Sequence, residues 1–172
     1  YDTGKVNGLF FAGTCGFGFD GYIAERFDKY PKRGFLSYAK LIALEYSKYE
    51  PLTFKVSYGD QVIEQKALVC AVANSSQFGN GFTISPSSNM QDGKMELIMI
   101  SKFPFIETMG IGTKFFTQSI HKSKHFKCFE TYGKLEIEVL GTEEVFYHLD
   151  GEPHLGDKKF SIELNQKNLL IL

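Results

Sequence analysis

Two short stretches place carboxylates beside glycine, where the chain must turn. The first, SSNMQDGK at residues 87–94, precedes the apolar run 95–100. An Asp before Gly in a turn commonly bonds its own backbone. Alternatively, Asp92 supplies a carboxylate and nearby backbone carbonyls supply neutral oxygens, the ligand type a hard cation wants. The second stretch is Asp150-Gly151-Glu152, directly after the strand-like segment 144–149. One reading is two exposed carboxylates in a common turn. The other is a strand end that holds Glu152 as a general base. A carboxylate suits deprotonation of an alcohol that attacks a phosphoryl group.

Other polar groupings carry less. His121 and His125 are four apart, among Lys122, Lys124 and Lys127. They read as a solvated helix end, because a tetrahedral metal site needs further ligands. There is no Cys-x-x-Cys pair, His-Glu-x-x-His motif or Walker-type phosphate loop. Gly13, Gly16 and Gly18 lack the order of a dinucleotide fingerprint and read as a strand-to-helix turn. Asn74-Ser75-Ser76 matches a glycosylation triplet, inert in a cytosolic protein. Cys15, Cys70 and Cys128 are odd in number and far apart, each in an apolar stretch. They are expected as buried free thiols in a reducing compartment.

Composition bounds the answer. The 172 residues are 43% hydrophobic, enough for one domain with a real core. A charged fraction of 23% and a net charge of -1 argue against disorder and against a basic nucleic-acid-binding face. Seventeen Phe and nine Tyr with no Trp read as an aromatic β core, or as an apolar cleft for a lipid tail or flat ring. Residues 1–8 are polar and turn-like, without the features of a signal peptide. No apolar run approaches the roughly 20 residues of a membrane helix. The start without Met is expected of a fragment.

The elements that must position these turns follow from periodicity. Residues 9–15 read as a buried strand, and Asp20 as the cap of a short helix over 22–27. Helical spacing predicts a helix over 34–49, closed by Pro51. Period two then takes over: 54–58, a Gly59-Asp60 turn and a return arm from Val62 form a hairpin. Segment 67–73 reads as a central strand buried on both faces, and 95–100 as another. A helix is expected over 104–120, with Phe105, Thr108, Met109, Gly112, Phe115 and Phe116 on its apolar face, although Gly110 and Gly112 weaken it. Strands are expected at 127–131, 135–140, 144–149, 159–164 and 169–172. Leu135, Ile137 and Val139 alternate with Glu136 and Glu138, one dry face and one wet. The fold class is mainly β: a two-layer antiparallel β-sandwich with two or three helices.

Four ordered stretches resemble the C-terminal half of the diacylglycerol kinase catalytic family, soluble bacterial lipid kinases related to sphingosine kinases and more distantly to NAD kinases. They are NGLFFAGTCGFGFDG at 7–21, AVANSSQFGNG at 71–81, ISPSSNMQDGKMELIMI at 84–100 and LDGE at 149–152. The resemblance implies transfer of the ATP γ-phosphate to a lipid hydroxyl with Mg²⁺. It implies Glu152 as catalytic base with Asp150 beside it. It implies Asn74, Gly79 and Gly81 on the substrate side, and a Mg²⁺ on Asp92 and oxygens of Asn89 and Lys94, the last through its carbonyl. Asn80 stands where many relatives have Gly, and Asn tolerates a left-handed backbone. The family's Gly-Gly-Asp-Gly-Thr nucleotide signature is absent, so 1–172 is expected to be a single lipid-facing domain without its N-terminal nucleotide-binding partner. The expected setting is cytoplasmic and peripheral at a membrane, with a homodimer open and no nucleic acid. Sphingoid-base or polyprenol kinases, and a non-catalytic lipid- or protein-binding β-sandwich, are the alternatives.

Overall fold

The computed structural model describes residues 1–32, 34–79, 81–167 and 169. In chain order its elements are β1 (Thr3–Val6), β2 (Leu9–Phe11), β3 (Thr14–Gly18), α1 (Phe19–Asp28), α2 (Phe35–Tyr46), β4 (Leu52–Tyr58), β5 (Gln61–Ala67), β6 (Val69–Ala73), β7 (Gln77–Gly79) and β8 (Phe82–Thr83). Then come β9 (Met95–Ile100), α3 (Thr108–Phe116), β10 (Phe126–Thr131), β11 (Lys134–Leu140), β12 (Glu144–Leu149), β13 (Glu152–Asp157) and β14 (Lys159–Asn165). Two six-stranded antiparallel sheets pack as the expected sandwich. Sheet A runs β2-β1-β14-β11-β4-β5, and sheet B runs β10-β9-β6-β3-β12-β13.

Period-two patterning explains both sheets. In sheet A, Leu135, Ile137 and Val139 are buried while Glu136 is exposed. Ile137 lies opposite Val56 on one side and Phe160 on the other, so apolar side chains stack across three strands. Sheet B buries both faces. Along β6, Cys70 and Val72 enter the inter-sheet core while Ala71 and Ala73 face outward. Along β9, Met95, Leu97 and Met99 join that core, and Ile98 and Ile100 face outward against α3 residues Ile111 and Phe115. Two apolar clusters on opposite faces make these strands read as continuous apolar runs. A third cluster joins Phe19 and Ile23 of α1 to Leu41 and Tyr46 of α2.

Several expectations are corrected. The run 9–15 is two strands split at Ala12-Gly13, and Leu9 and Phe10 are exposed. Polar 1–8 contains β1, because β14 and β2 supply partners on both sides. Asp20 does not cap α1; it lies inside the first turn, Gly18 stands at the N-cap with φ 84°, and no side chain caps there. The expected helix over 104–120 is a 3-10 turn at Phe105–Glu107, then α3, then a second 3-10 turn at Ile120–Lys122. The buried residues of this stretch are Ile111, Phe115 and Ile120, whereas Phe105, Met109 and Phe116 are exposed. Strand β13 was not expected, since Pro153 and Gly156 interrupt the strand signal; Pro is tolerated because β13 is an edge strand. Cys15 and Cys70 are buried free thiols as expected, but Cys128 is exposed. His121 and His125 share no helix, and His125 pairs with Glu107 at 3.0 Å. Asn80 and all of the expected strand 169–172 except Leu169 lie outside the described residues; Leu169 is not in a strand.

Candidate active site

Outside sheet B, the three helices and the β7–β8 ribbon enclose a cavity of about 600 Å³. That size falls within the roughly 300–1,000 Å³ of small-molecule sites. Its walls are mostly apolar: Ile23 from α1, Ile42 from α2, Phe115 from α3, Phe82 from the ribbon and Ile100 from β9. Phe82 stacks on Phe115 at 4.2 Å, closing one wall. At one end the lining changes character: Asp20 and His148 meet there, and the turn leading to Glu152 is bonded to His148 through the Gly151 N–H. Asp28 also lines the cavity but sits at the far end of α1, roughly 12 Å from Asp20 at 1.5 Å per helical residue.

The polar end is assembled from distant parts of the chain. His148 and Gly16 are directly paired across β12 and β3. A side chain at position 16 would begin 2.1 Å from Asp20 Oδ2 and 2.4 Å from His148 Nε2, so only glycine leaves room for the pair. His148 Nε2 stands 2.6 Å from Asp20 Oδ2; the His148 side chain is buried and that of Asp20 largely so. Burial pulls the His148 pKa down, but the Asp20 charge and hydrogen bond, with the Asp150 charge, outweigh it and hold it above the ordinary histidine value. Burial pushes the Tyr38 hydroxyl well up, and Asp20 adds to the shift. Glu152 opens β13 opposite Leu149, exposed at the cavity edge.

Sequence reasoning named Glu152 but missed His148 and weighed Asp20 only as a cap. No local signal marks His148. It shares the outer face of β12 with Phe146, so the alternation predicts an exposed residue there, yet it is buried. A buried histidine on an outward face needs a polar partner.

Asp150, expected beside the catalytic base, fixes the turn. Its Oδ2 accepts the Ala12 N–H at 2.6 Å, and its Oδ1 accepts those of Gly13 and Thr14 at 2.8 Å each. Its own N–H donates to the Thr14 carbonyl at 2.8 Å. The carboxylate is a clasp between the β2–β3 corner and this turn, and Asp150 itself takes a left-handed backbone, φ 50°. Asn74 is also structural. It is 0% exposed, and its Nδ2 donates to the carbonyls of Asp2 and Ala12 at 2.8 and 2.7 Å. That position is closed to both substrate and glycan. Gly79 ends β7, and Gly81 turns the ribbon with φ 75°. The cavity lining comes instead from their neighbours Phe78 and Phe82.

The 87–94 loop resolves into local hydrogen bonds. Asp92 is exposed, and its Oδ1 accepts the Lys94 N–H at 3.0 Å. Asn89 Oδ1 accepts the Gln91 N–H at 3.1 Å, and Lys94 Nζ pairs with Glu130 at 3.1 Å. Buried Asp2 pins the loop by accepting the Gly93 N–H at 2.9 Å. Among the described residues, no group of three or more His, Cys, Asp or Glu side chains is placed to hold a metal ion. One carboxylate already bonded to its own turn does not fit a cation cage, which wants several free oxygens.

No curated protein sequence matches the chain. Among solved structures, a diacylglycerol kinase crystal structure from Bacillus anthracis str. Sterne is similar over 96% of this chain and 50% of its own, with 22% identity and a TM-score of 0.62. A second structure from the same strain, assigned only provisionally to that activity, is similar over 96% of this chain and 53% of its own, with 21% identity and a TM-score of 0.62. The chain therefore spans about half the length of these structures, and at such identity the likeness speaks for the fold. The sequence itself goes further: over residues 13–171 it matches the model of the YegS C-terminal NAD kinase beta sandwich-like domain, and the chain belongs to that family.

Proposed function

We propose that this domain is the lipid-facing half of an ATP-dependent lipid kinase, with diacylglycerol as the favoured substrate. The observation that carries the reading is the apolar cavity whose polar end holds Glu152 beside the Asp20–His148 pair. A lipid tail fits the aromatic walls, and its hydroxyl reaches the carboxylate. Glu152 accepts the hydroxyl proton as the oxygen attacks the γ-phosphorus; the bond from that phosphorus to the β–γ bridging oxygen breaks, and ADP leaves. ATP and its Mg²⁺ are assigned to the nucleotide-binding half of a longer protein, consistent with the half-length match to the solved structures.

The cavity mouth supports work at a membrane surface. Leu36, Ile106 and Met109 are 83%, 88% and 82% exposed, at the N-terminal ends of the two helices that flank the cavity. In sequence, segments 29–49 and 101–127 carry ten Lys or Arg against two Glu, and Lys29, Lys48, Lys102 and Lys124 pair with Glu25, Glu45, Glu50 and Glu107. Exposed apolar side chains in lysine-rich segments suit an anionic bilayer. None of the described helices is long and apolar enough to cross a membrane.

The test is phosphorylation by the intact protein, with ATP, Mg²⁺ and vesicles carrying diacylglycerol, a sphingoid base or a polyprenol. Labelled phosphate is expected in the diacylglycerol. Transfer to another alcohol moves the substrate assignment, and no transfer to any lipid leaves a binding module.

A further inference from the structure

We propose that His148 is a positioning residue: its Nδ1 holds the Gly151 N–H, and through it the turn that carries Glu152, while its Nε2 ties the ring to Asp20. This rests on the reading of Glu152 as the base.

The geometry is a bridge. His148 is 3% exposed. Its Nε2 lies 2.6 Å from Asp20 Oδ2, and the Gly151 N–H donates to its Nδ1 at 3.2 Å. A ring nitrogen that accepts an N–H carries no proton, so the proton is on Nε2, donated to Asp20. Phe78 stands nearly perpendicular to the ring at 5.6 Å, and Gly16 lies against it without a side chain. The imidazole thus joins the first turn of α1 to the residue just before Glu152. Asp150 clasps the same turn from its other side, onto the β2–β3 corner. Two anchors that pull on adjacent residues fix where Glu152 leaves the strand end.

The bridge is also sensitive to acid. The titratable groups around the ring are Asp20 on α1, Asp150 and Glu152 on the turn and, across Asp20, Tyr38 on α2. Protonation of Nδ1 sets N–H against N–H, and Gly151 loses its acceptor. The turn is therefore held above the pKa of His148 and released below it. Because Asp20 and Asp150 hold that pKa above the ordinary histidine value, the release lies above the usual histidine range.

Two variants of the intact protein separate the ring's two bonds. His148→Gln keeps a polar group near the Nε2 position and removes the acceptor for Gly151. His148→Asn keeps an acceptor near the Nδ1 position and drops the bond to Asp20. In H148Q, kcat should fall about 10- to 100-fold with the lipid KM changed less than about twofold, since a misplacement near 1 Å has that effect. Amide exchange over residues 150–152 should quicken. H148N should recover most of the lost kcat and protection, and the acid limb of its kcat–pH profile should lose the part that His148 adds to that of the base Glu152. Equal losses in both variants, or an acid limb in H148N unchanged from wild type, overturn the proposal. A readout independent of activity is the imidazole tautomer in the wild-type protein, from long-range proton–nitrogen correlations. Above the pKa of His148, a proton on Nε2 with Nδ1 bare supports the bridge, and a neutral ring with its proton on Nδ1 overturns it. If wild type phosphorylates no lipid, the kinase reading falls alone, while tautomer and exchange still decide the role of His148.

Discussion

The two six-stranded sheets each bury one face against the other, and they differ in what lies on the second face. In sheet A that face meets water: Lys55, Glu136 and Lys159 stand on it, with Ser57 and Ser161 between. In sheet B it meets α1, α2, α3 and the β7–β8 ribbon, which cover Ala71, Ile98 and His148. A charge on sheet A is solvated, and its surroundings do little to it. On the covered face of sheet B, an imidazole is away from water and must find a specific partner. The covering is incomplete, so the same face that desolvates Asp20 and His148 leaves a cavity beside Glu152. Scaffold and site are thus built from the same kind of strand, and the second layer makes the difference.

The sharpest way to break this comparison is to neutralise one carboxylate on each sheet in the intact protein. Glu152→Gln keeps the shape and removes the basicity, so kcat for lipid phosphorylation should fall about 10²- to 10⁴-fold with an unchanged melting temperature. Glu136→Gln on sheet A should leave kcat within about twofold. Equal rates in the two variants would remove the 150–152 turn from the mechanism.

Next in size is packing. Phe160→Ala in the core between the sheets should destabilise the protein by about 3–5 kcal/mol in urea titrations. Phe116→Ala at the cavity edge, already half-exposed, should cost less than about 1 kcal/mol. A cavity variant as destabilising as the core variant would mean that the helical layer is as much a part of the core as the sheets are.

Asp150→Asn tests the clasp. An amide can replace at most one of the two acceptor oxygens, so at least one backbone N–H loses its partner. The expected loss is about 1–3 kcal/mol of stability. An Asp150→Asn protein that is as stable as wild type but catalytically dead would return Asp150 to the reacting groups.

The smallest expected change in stability is at the rim. Ile106→Ser with Met109→Ser should move stability by no more than about 0.5 kcal/mol per site, because both side chains are already in water. Sedimentation with anionic vesicles should nevertheless drop several-fold. Unchanged sedimentation would take the membrane away from this face.

Much of the architecture was legible because it rests on local spacing. The change from helical to period-two spacing at Pro51 separates α2 from β4, and 95–100 is a strand to the residue. Where local signals were weak or contradictory, pairing decided. Thr3–Val6 became a strand because β14 and β2 lie on either side, and Pro153 fits β13 because, among the described residues, no strand pairs beyond it. The apolar face expected of 104–120 held Phe105, Met109 and Phe116, yet the chain breaks into two 3-10 turns around a short helix, which rotates Ile111 and Phe115 inward instead.

The sequence by itself determined which residue types stand at the turns: Asp150 and Glu152 after one strand, Asn89, Asp92 and Lys94 before another. Only the tertiary structure decided which of those groups remain available for chemistry. Asp150 is occupied by N–H groups 136 to 138 residues away, and Glu152 stands beside the cavity with its turn hung from His148. Asp20 and His148, 128 residues apart, meet because β3 and β12 pair in the register that sets Gly16 against His148. The physical reason is range. Period and turn preference act over a few residues and can be read along the chain, whereas a carboxylate's charge and hydrogen bonds are set by whatever the fold brings within about 3 Å.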